Sequence, residues 1–435
     1  MKKNYNIFFG SIIKEFHMKV LIILILIFLP SSLLAQGGVA VPFVRINPSP
    51  QLNAMAGAFS GLPTSNPFGM FFNPAQLGQF ARTYNFSTSF YIRKADWLPH
   101  FDFSDRYFKS KAMNFGYSTN KLIPNLPLHI GIGFIDSKVG LGKNIWTDET
   151  GKELGVFESW EKYQQFGLGI GIDWKVKFNF GFAFKNITSN LAPVSVGFEK
   201  RPGESKATVY DYGFLMTVPL PDFFTPPQIK QLFVFEDLQT SVDLSAGFAL
   251  QNVGDSIRYI DSRKQSPFPR LATLGYGLSA NITGHIHGVK LQLLKADWSS
   301  QAQDILVAHH PDGSWDYEGF PGRINLFDHL ISGKFNDDVV IFQGYRIKVF
   351  ESFEYSYGYF RGQGWDPYIK TSGFMISSQG LGKALQNTIQ NDLLKEIVSK
   401  IIIQYATSKY SSTDRSHPLY GTRFDGLIIS FKELF

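Results

Sequence analysis

The sequence predicts an all-β fold: about fourteen antiparallel strands closed into an outer-membrane β-barrel, preceded by a compact N-terminal knot and interrupted by one short amphipathic helix. Three observations predict it. Segment after segment alternates large apolar residues with small or polar ones. No apolar run beyond the N-terminal one approaches the roughly 20 residues of a transmembrane helix, and without such helices only a closed barrel spans a membrane. Connections also alternate between short turns and long loops, as in barrels with periplasmic turns on one side and external loops on the other.

Composition agrees with an exported barrel. The 435 residues include no cysteine, 42 Phe, 19 Tyr and 40 Gly, with 16% aromatic and 18% charged residues. Disulfides and thiolate metal sites are thereby excluded, and so is disorder. The net charge is +6, and removing residues 1–35 leaves 38 basic and 35 acidic residues, net +3, without a basic stripe. Nucleic-acid binding is not expected.

Residues 1–35 read as a signal peptide whose better start is Met18: Lys19, the apolar run Val20–Leu29, Pro30, then Leu33-Leu34-Ala35 before Gln36. The alternative reading of the run is a membrane anchor. Residues 36–80 are unlike a strand. From Asn53 to Leu77, Gly57, Gly61, Pro63, Pro67, Gly69 and Pro74 break any period-2 pattern and force tight turns. Asn73-Pro74-Ala75-Gln76-Leu77-Gly78 reads as a miniature helix with Asn73 at the N-cap, Pro74 at N1 and Gly78 at C′.

Residues 81–435 are expected to form the barrel, with strands near 83–93, 109–118, 126–135, 162–174, 177–188, 207–219, 240–252, 269–281, 285–297, 337–346, 349–361, 367–378, 399–410 and 422–435. Phe166, Leu168, Ile170, Ile172 and Trp174 alternate with Gly167, Gly169, Gly171 and Asp173; Phe178 to Phe184 repeats the pattern. Periodicity alone fits a soluble sandwich as well as a barrel with its apolar face toward lipid. The small face decides for the barrel, because a lumen lined by Gly and Ala has room for the knot. Stretches 136–161, 189–206, 253–268 and 298–336 are expected as external loops, and 220–239 breaks the alternation. Between Gly380 and Val398 the period changes to 3.6: Leu381, Leu385, Ile389, Leu393 and Ile397 line one face of a helix. That helix reads either as structural padding under the barrel mouth or as a docking surface for a periplasmic partner or the membrane interface. Leu427, Ile429, Phe431 and Phe435 close the chain as an outward apolar face.

The knot and the strands together resemble the N-terminal hatch and barrel of the PorV/PorQ-type outer-membrane family, itself similar to FadL-type long-chain fatty-acid transporters. The matching positions are Ala56, Gly57, Gly61, Pro67, Asn73, Pro74, Ala75 and Leu77, with FAFKNITSNL, DLSAGFALQNVGDSI and PFPRLATLGYGLS further along. The stretch Gln301–Asn336 and the helical insertion depart from the pattern. The resemblance implies a non-enzymatic outer-membrane component of a Gram-negative cell serving type IX protein secretion, binding exported proteins or secretion subunits. Its alternative is FadL-like passive transport of a hydrophobic small molecule, held between hatch and wall and leaving where strand pairing is broken. In either case Gly57, Gly61, Pro67, Asn73, Pro74, Ala75 and Leu77 would carry structural and gating roles, and the surrounding partner is outer-membrane lipid.

No catalytic constellation or cofactor motif is legible. His309-His310 and the pair His285 and His287 lack a third metal ligand at a recognisable spacing. Asp173, Asp211, Asp243 and Glu354 fall on the lumen face and read as solvated charges or partners of the knot rather than an acid–base pair.

Overall fold

A computed structural model describes residues 38–100, 105–119, 126–148, 150–196, 201–220, 231–232, 235–254, 256–259, 265–286, 288–363, 365–386 and 388–433. The expected signal peptide, the Met18 start, His287 and Phe435 lie outside them.

Fourteen long strands form the ring: β1 (Phe86–Tyr91), β2 (Arg106–Ser118), β3 (Leu128–Thr147), β4 (Glu153–Asp173), β5 (Lys177–Val196), β6 (Arg201–Leu220), β7 (Phe235–Val253), β8 (Leu271–Ile286), β9 (Val289–Ile305), β10 (Val339–Val349), β11 (Phe353–Gly362), β12 (Trp365–Ser377), β13 (Ile401–Ser411) and β14 (Arg423–Phe431). Each pairs antiparallel with the next, and β1 closes the ring by pairing with β14 (Phe86 opposite Phe431) as well as with β2 (Phe86 opposite Phe115). Closure leaves no unpaired edge, which is what a spanning sheet requires. Phe166, Leu168, Ile170 and Ile172 of β4 and Phe180 and Phe182 of β5 are exposed, Leu168 by 46%, while Ala183 and Asn179 beside them are fully buried. The large apolar face is therefore outside and faces lipid. The protein is an outer-membrane barrel.

The turns 174–176 and 350–352 and the strand-end pair Ile286 and Val289 fall at one end, the periplasmic one, together with the start of β1 and the end of β14. At the other end β3 to β6 are 20 or 21 residues long, about twice what a tilted strand needs to cross the bilayer. This corrects the expected external loops at 136–161 and 189–206. Strands β3 and β4 run on and pair from Leu128 opposite Ile172 up to Thr147 opposite Glu153, and β5 and β6 do likewise up to Val196 opposite Arg201. Polar residues such as Lys143, Asn144, Ser189 and Lys206 read as loop, although above the membrane a strand needs no apolar face. The connection after β9 holds a small hairpin (Val307–His309 with Trp315–Tyr317) and a π-helical turn, Leu326–Ile331.

The single helix expected over 380–398 is two: α3 (Gln379–Leu385) and α4 (Asp392–Lys400). Asn391 interrupts it, because its side chain accepts from the amide of Leu394 and starts a new helix. For convenience α1 and α2 below refer to Gly69–Phe72 and Gln76–Ala81, which precede the strands.

The orientation of the wall is testable through depth-dependent cost. Leu168→Arg, near the middle of the apolar belt, should destabilise the barrel by about 2–4 kcal/mol and Gln164→Arg, above it, by about 0–1 kcal/mol, measured by urea unfolding in phospholipid vesicles. Equal costs would contradict the assignment of the lipid face.

Candidate functional site

Residues 38–85 lie inside the ring, and glycines on the inner face of the strands receive them. Gly213 of β6 has the Asn73 carboxamide where a Cβ would stand, Gly181 of β5 has the Pro74–Ala75 peptide, and Gly131 of β3 has the Leu77 carbonyl. Gly61 and Gly275 of β8 meet backbone to backbone, so a side chain at Gly61 would collide with the wall. Gly57 is needed for another reason, its positive φ of 76°.

An irregular backbone at membrane depth needs its amides and carbonyls satisfied from within. Four polar side chains do much of this. Asn73 donates through Nδ2 to the carbonyls of Ser60 (2.8 Å) and Phe214 (2.9 Å), and its Oδ1 accepts from Ala75 N (3.0 Å). Gln76 donates to the carbonyls of Phe59 (2.8 Å) and Leu62 (2.9 Å) and accepts from Thr64 N (2.9 Å). Thr371 of β12 accepts from Ala56 N (2.9 Å) and donates to Ala54 O (3.0 Å), and Gln301 of β9 accepts from Ser60 N (3.0 Å). Pro67 lies in the turn that Asn66 closes on Phe68 N at 2.9 Å. Asn73 therefore closes a turn on the Ala75 amide just ahead of the helix, but it is not the N-cap the sequence suggests: α2 runs from Gln76 to Ala81 with Ala75 at its N-cap and no side-chain cap, so Pro74 precedes the helix and Gly78 lies inside it rather than at C′. Gly78 is small because the backbone of Ile170 and Gly171 passes beside it.

Arg82, just past α2, anchors the segment's far end: Nε donates to Asp173 Oδ1 at 2.5 Å and Nη1 to Asn179 Oδ1. His129 Nε2 lies 3.1 Å from the other Asp173 oxygen. Gln76, Arg82, Thr371 and Gln301 were not singled out from sequence. Gln76 and Arg82 stand close to the Asn-Pro-Ala motif, but their partners are distant in the chain and periodicity carries no signal for them.

The lumen has three levels. Toward the outside it is apolar and aromatic: Phe108, Ile135, Val139, Tyr163, Ile187, Val209, Phe360, Tyr410 and Phe424 of the wall pack with Phe43, Val44, Phe71 and Phe72 of the inner segment, all buried. A cavity of about 60 Å³ remains at its lower margin, bordered by Phe71, Phe72, Leu271 and Phe342 on its apolar side and by Arg45, Asn47, Gln251, Thr273, Gln301 and Gln303 on its polar side. Next comes the glycine-lined level just described. At its outer margin Lys185 Nζ and Asp211 Oδ2 pair at 2.9 Å, fully buried, with Asn252 Oδ1 2.8 Å from the ammonium and Gln165 Nε2 2.7 Å from the carboxylate. Toward the periplasm a cavity of about 300 Å³ is polar, bordered by Gln51, Thr64, Asp243, Lys295, Arg346 and Glu354. The space under the segment is therefore not the apolar pocket that a FadL-like reading expects; the apolar chamber lies on its outer side.

The four lumen carboxylates are all engaged or solvated: Asp173 with Arg82, Asp211 with Lys185, Glu354 with Gln51 Nε2 (2.9 Å), and Asp243 on the polar cavity. No group of three His, Asp or Glu among the described residues could hold a metal. His310 pairs with Asp316 at 2.9 Å in the external hairpin.

Among the described residues, strand pairing in the wall is interrupted beside the aromatic chamber. Pairing of β1 with β2 stops at Phe90 opposite Lys111 and resumes only at Ala95 opposite Phe108. A cavity of about 300 Å³ opens there, bordered by inward Tyr91 and Ser110 and outward Phe90, Lys109 and Lys111. Tyr91 packs edge-on against Phe108 (5.8 Å) and Phe424 (6.2 Å), which ties this break to the chamber.

The helical insertion sits at the periplasmic end. Leu381 and Leu385 of α3 and Leu393 and Ile397 of α4 are exposed; Ile389 lies between the helices and is partly buried. The structure does not bring these five residues together on one helix face.

Fold and interior define an outer-membrane β-barrel whose lumen is filled by its own N-terminal segment. No family model matches the chain, nor does any curated protein. Among solved structures it is similar to the CymD monoaromatic hydrocarbon channel (8% identity, 90% of this chain and 99% of that chain, TM-score 0.41). It is also similar to the P. putida toluene transporter TodX (10% identity, 89% and 99%, TM-score 0.39) and to a Pseudomonas aeruginosa FadL homologue (9% identity, 90% and 98%, TM-score 0.33). At such identities and scores these likenesses carry no argument about substrate. The expectation of a PorV/PorQ-type component of type IX secretion is not met among them: the three are named a hydrocarbon channel, a toluene transporter and a FadL homologue, and none is named for protein secretion.

Asn73→Ala should loosen the inner segment without unfolding the ring. It removes a donor from the carbonyls of Ser60 and Phe214 and the acceptor of the Ala75 amide, a cost of about 1–3 kcal/mol. Hydrogen exchange of residues 60–76 should then quicken roughly 5- to 100-fold while strands β3 to β6 keep their protection. Unchanged exchange would show that Asn73 does not hold the segment.

Proposed function

We propose that the protein is a non-enzymatic outer-membrane channel for small hydrophobic molecules, with the segment up to residue 85 serving as its hatch. The observation that carries this reading is the aromatic, apolar level on the outer side of the hatch. Barrels that pass polar solutes through water have polar interiors; here Phe108, Val139, Tyr163, Phe360, Phe424 and their neighbours form the interior instead. Such a surface binds an apolar solute by removing it from water.

In the conformation described, Phe43, Phe71 and Phe72 fill the chamber, so the hatch must shift for a solute to enter. Gly57, Gly61, Pro67, Asn73, Pro74, Ala75 and Leu77 hold the closed position through the contacts above. The polar cavity beneath is unfavourable for an apolar solute. The way out of the chamber leads sideways, past Tyr91, through the interrupted pairing of β1 and β2 into lipid, at an opening whose outer rim carries Lys109, Lys111, Lys138 and Lys162.

Uptake by cells making the full chain tests this. A radiolabelled small hydrocarbon should enter faster than in cells lacking the protein, while a sugar of similar size should not. Phe342→Glu, which puts a charge at the chamber's wall, should cut hydrocarbon uptake roughly tenfold, the effect of losing about 1.5 kcal/mol of apolar burial; a heat-modifiable band on gels shows that the barrel still folds. Equal entry of sugar and hydrocarbon, or unchanged uptake by the Phe342 variant, would overturn the reading.

A further inference from the structure

The lipid-facing side of β2, β3 and β4 changes character within one step of the strand register. Met113, Phe134 and Phe166 lie side by side as the last apolar row, with the Phe134 and Phe166 rings 4.9 Å apart. The next outward row toward the cell exterior is Lys111, Asp136 and Gln164, and the one beyond is Lys109, Lys138 and Lys162, three ammonium groups on three neighbouring strands. Like charges directly opposite one another destabilise a sheet. Asp136 alone offsets them among the residues bordering this hollow: Lys162 Nζ is 3.2 Å and Lys111 Nζ 3.6 Å from its carboxylate. Lys138 rests over the Trp160 ring at 4.8 Å, which holds its charge at the same height. On the two strands beyond, the row of Gln164 continues with neutral Asn186 and Thr208, and the row of Lys162 with Thr188 and then Lys206, whose ammonium pairs with Glu204 at 3.3 Å and stands away from this hollow.

The hollow measures about 300 Å³, and four lysines border it with one carboxylate. It opens directly above an apolar wall made by Met113, Phe115, Ile132 and Leu168. A ligand that matches both halves has a multiply charged anionic head and acyl chains. We propose that this cluster binds the phosphate-bearing headgroup of an outer-leaflet lipid, with Lys109, Lys138 and Lys162 on the phosphate and the acyl chains along the belt below. Lysine ammoniums serve as point charges for phosphate, and neutralisation by the headgroup offsets the repulsion built into the row. The hollow is the one at the β1–β2 break, so a headgroup held there would stand at the mouth of the lateral exit proposed above; its binding rests on the lysines and not on what the lumen carries.

Native mass spectrometry of the folded full chain tests it, in neutral detergent micelles doped with a bisphosphorylated, acylated disaccharide lipid, with the same lipid dephosphorylated, or with inorganic phosphate alone. The wild type should retain the phosphorylated lipid in preference to the dephosphorylated one and retain no inorganic phosphate. Lys109→Gln, Lys138→Gln and Lys162→Gln combined should weaken retention by roughly fivefold for each lysine removed, and the corresponding triple Arg variant should keep it. Heat-modifiability confirms that each variant is folded. Equal retention of the two lipids, undiminished retention by the triple Gln variant, or occupancy by inorganic phosphate without lipid preference would each overturn the assignment.

Discussion

Backbone that is neither helix nor closed sheet survives at membrane depth only when it is enclosed and its polar groups are bonded. Everything inside this barrel follows from meeting that condition for residues 38–85. Glycines on the wall let the backbone come close, and Asn73, Gln76, Gln301 and Thr371 then supply the partners that helix or sheet would otherwise give. Close approach and hydrogen bonding depend on each other. A side chain at Gly213 would occupy the place of the Asn73 carboxamide, and without that carboxamide the Ser60 and Phe214 carbonyls would lose a donor.

The enclosed segment also divides the lumen by polarity. On its outer side it presents Phe43, Phe71 and Phe72 to an aromatic wall; on its inner side it presents Gln51, Thr64 and Asn66 to charged strand residues. The division sets what the barrel is suited to carry and where that solute would leave. An apolar solute gains from the outer chamber and loses in the polar cavity, and the proposed exit is the break between β1 and β2, with Tyr91 packed at its inner side and lysines at its outer rim.

Much of the wall was legible in the sequence because one face of each strand is large and apolar while the other is Gly, Ala or polar, as at Phe166 to Asp173 and Phe178 to Phe184. The upper parts of β3 to β6 were not, since outside the membrane neither face must be apolar and residues such as Lys143 and Ser189 resemble loop. The helical pair was read as one helix because leucines recur across the break and periodicity does not register the Asn391 cap. Of the interior, Asn73 was visible from its place before a proline. Gln76, Arg82 and Thr371 were not, for their roles come from partners brought close only by barrel closure. The basic cluster on the lipid face escaped for the same reason: Lys109, Lys138 and Lys162 are far apart in sequence and meet only through strand register.

The central claim is that an apolar solute passes when the hatch moves. The chain has no cysteine, so a disulfide can be introduced without competitors. Thr371 of the wall already bonds the Ala56 amide, and Ala56→Cys with Thr371→Cys would tie the hatch to β12 at that point. Flux of a small hydrocarbon into vesicles carrying this variant should fall when the bond is oxidised and return when it is reduced. Flux that is the same in both states would contradict a moving hatch, and no flux in either state, with the wild type equally inactive, would contradict the channel itself.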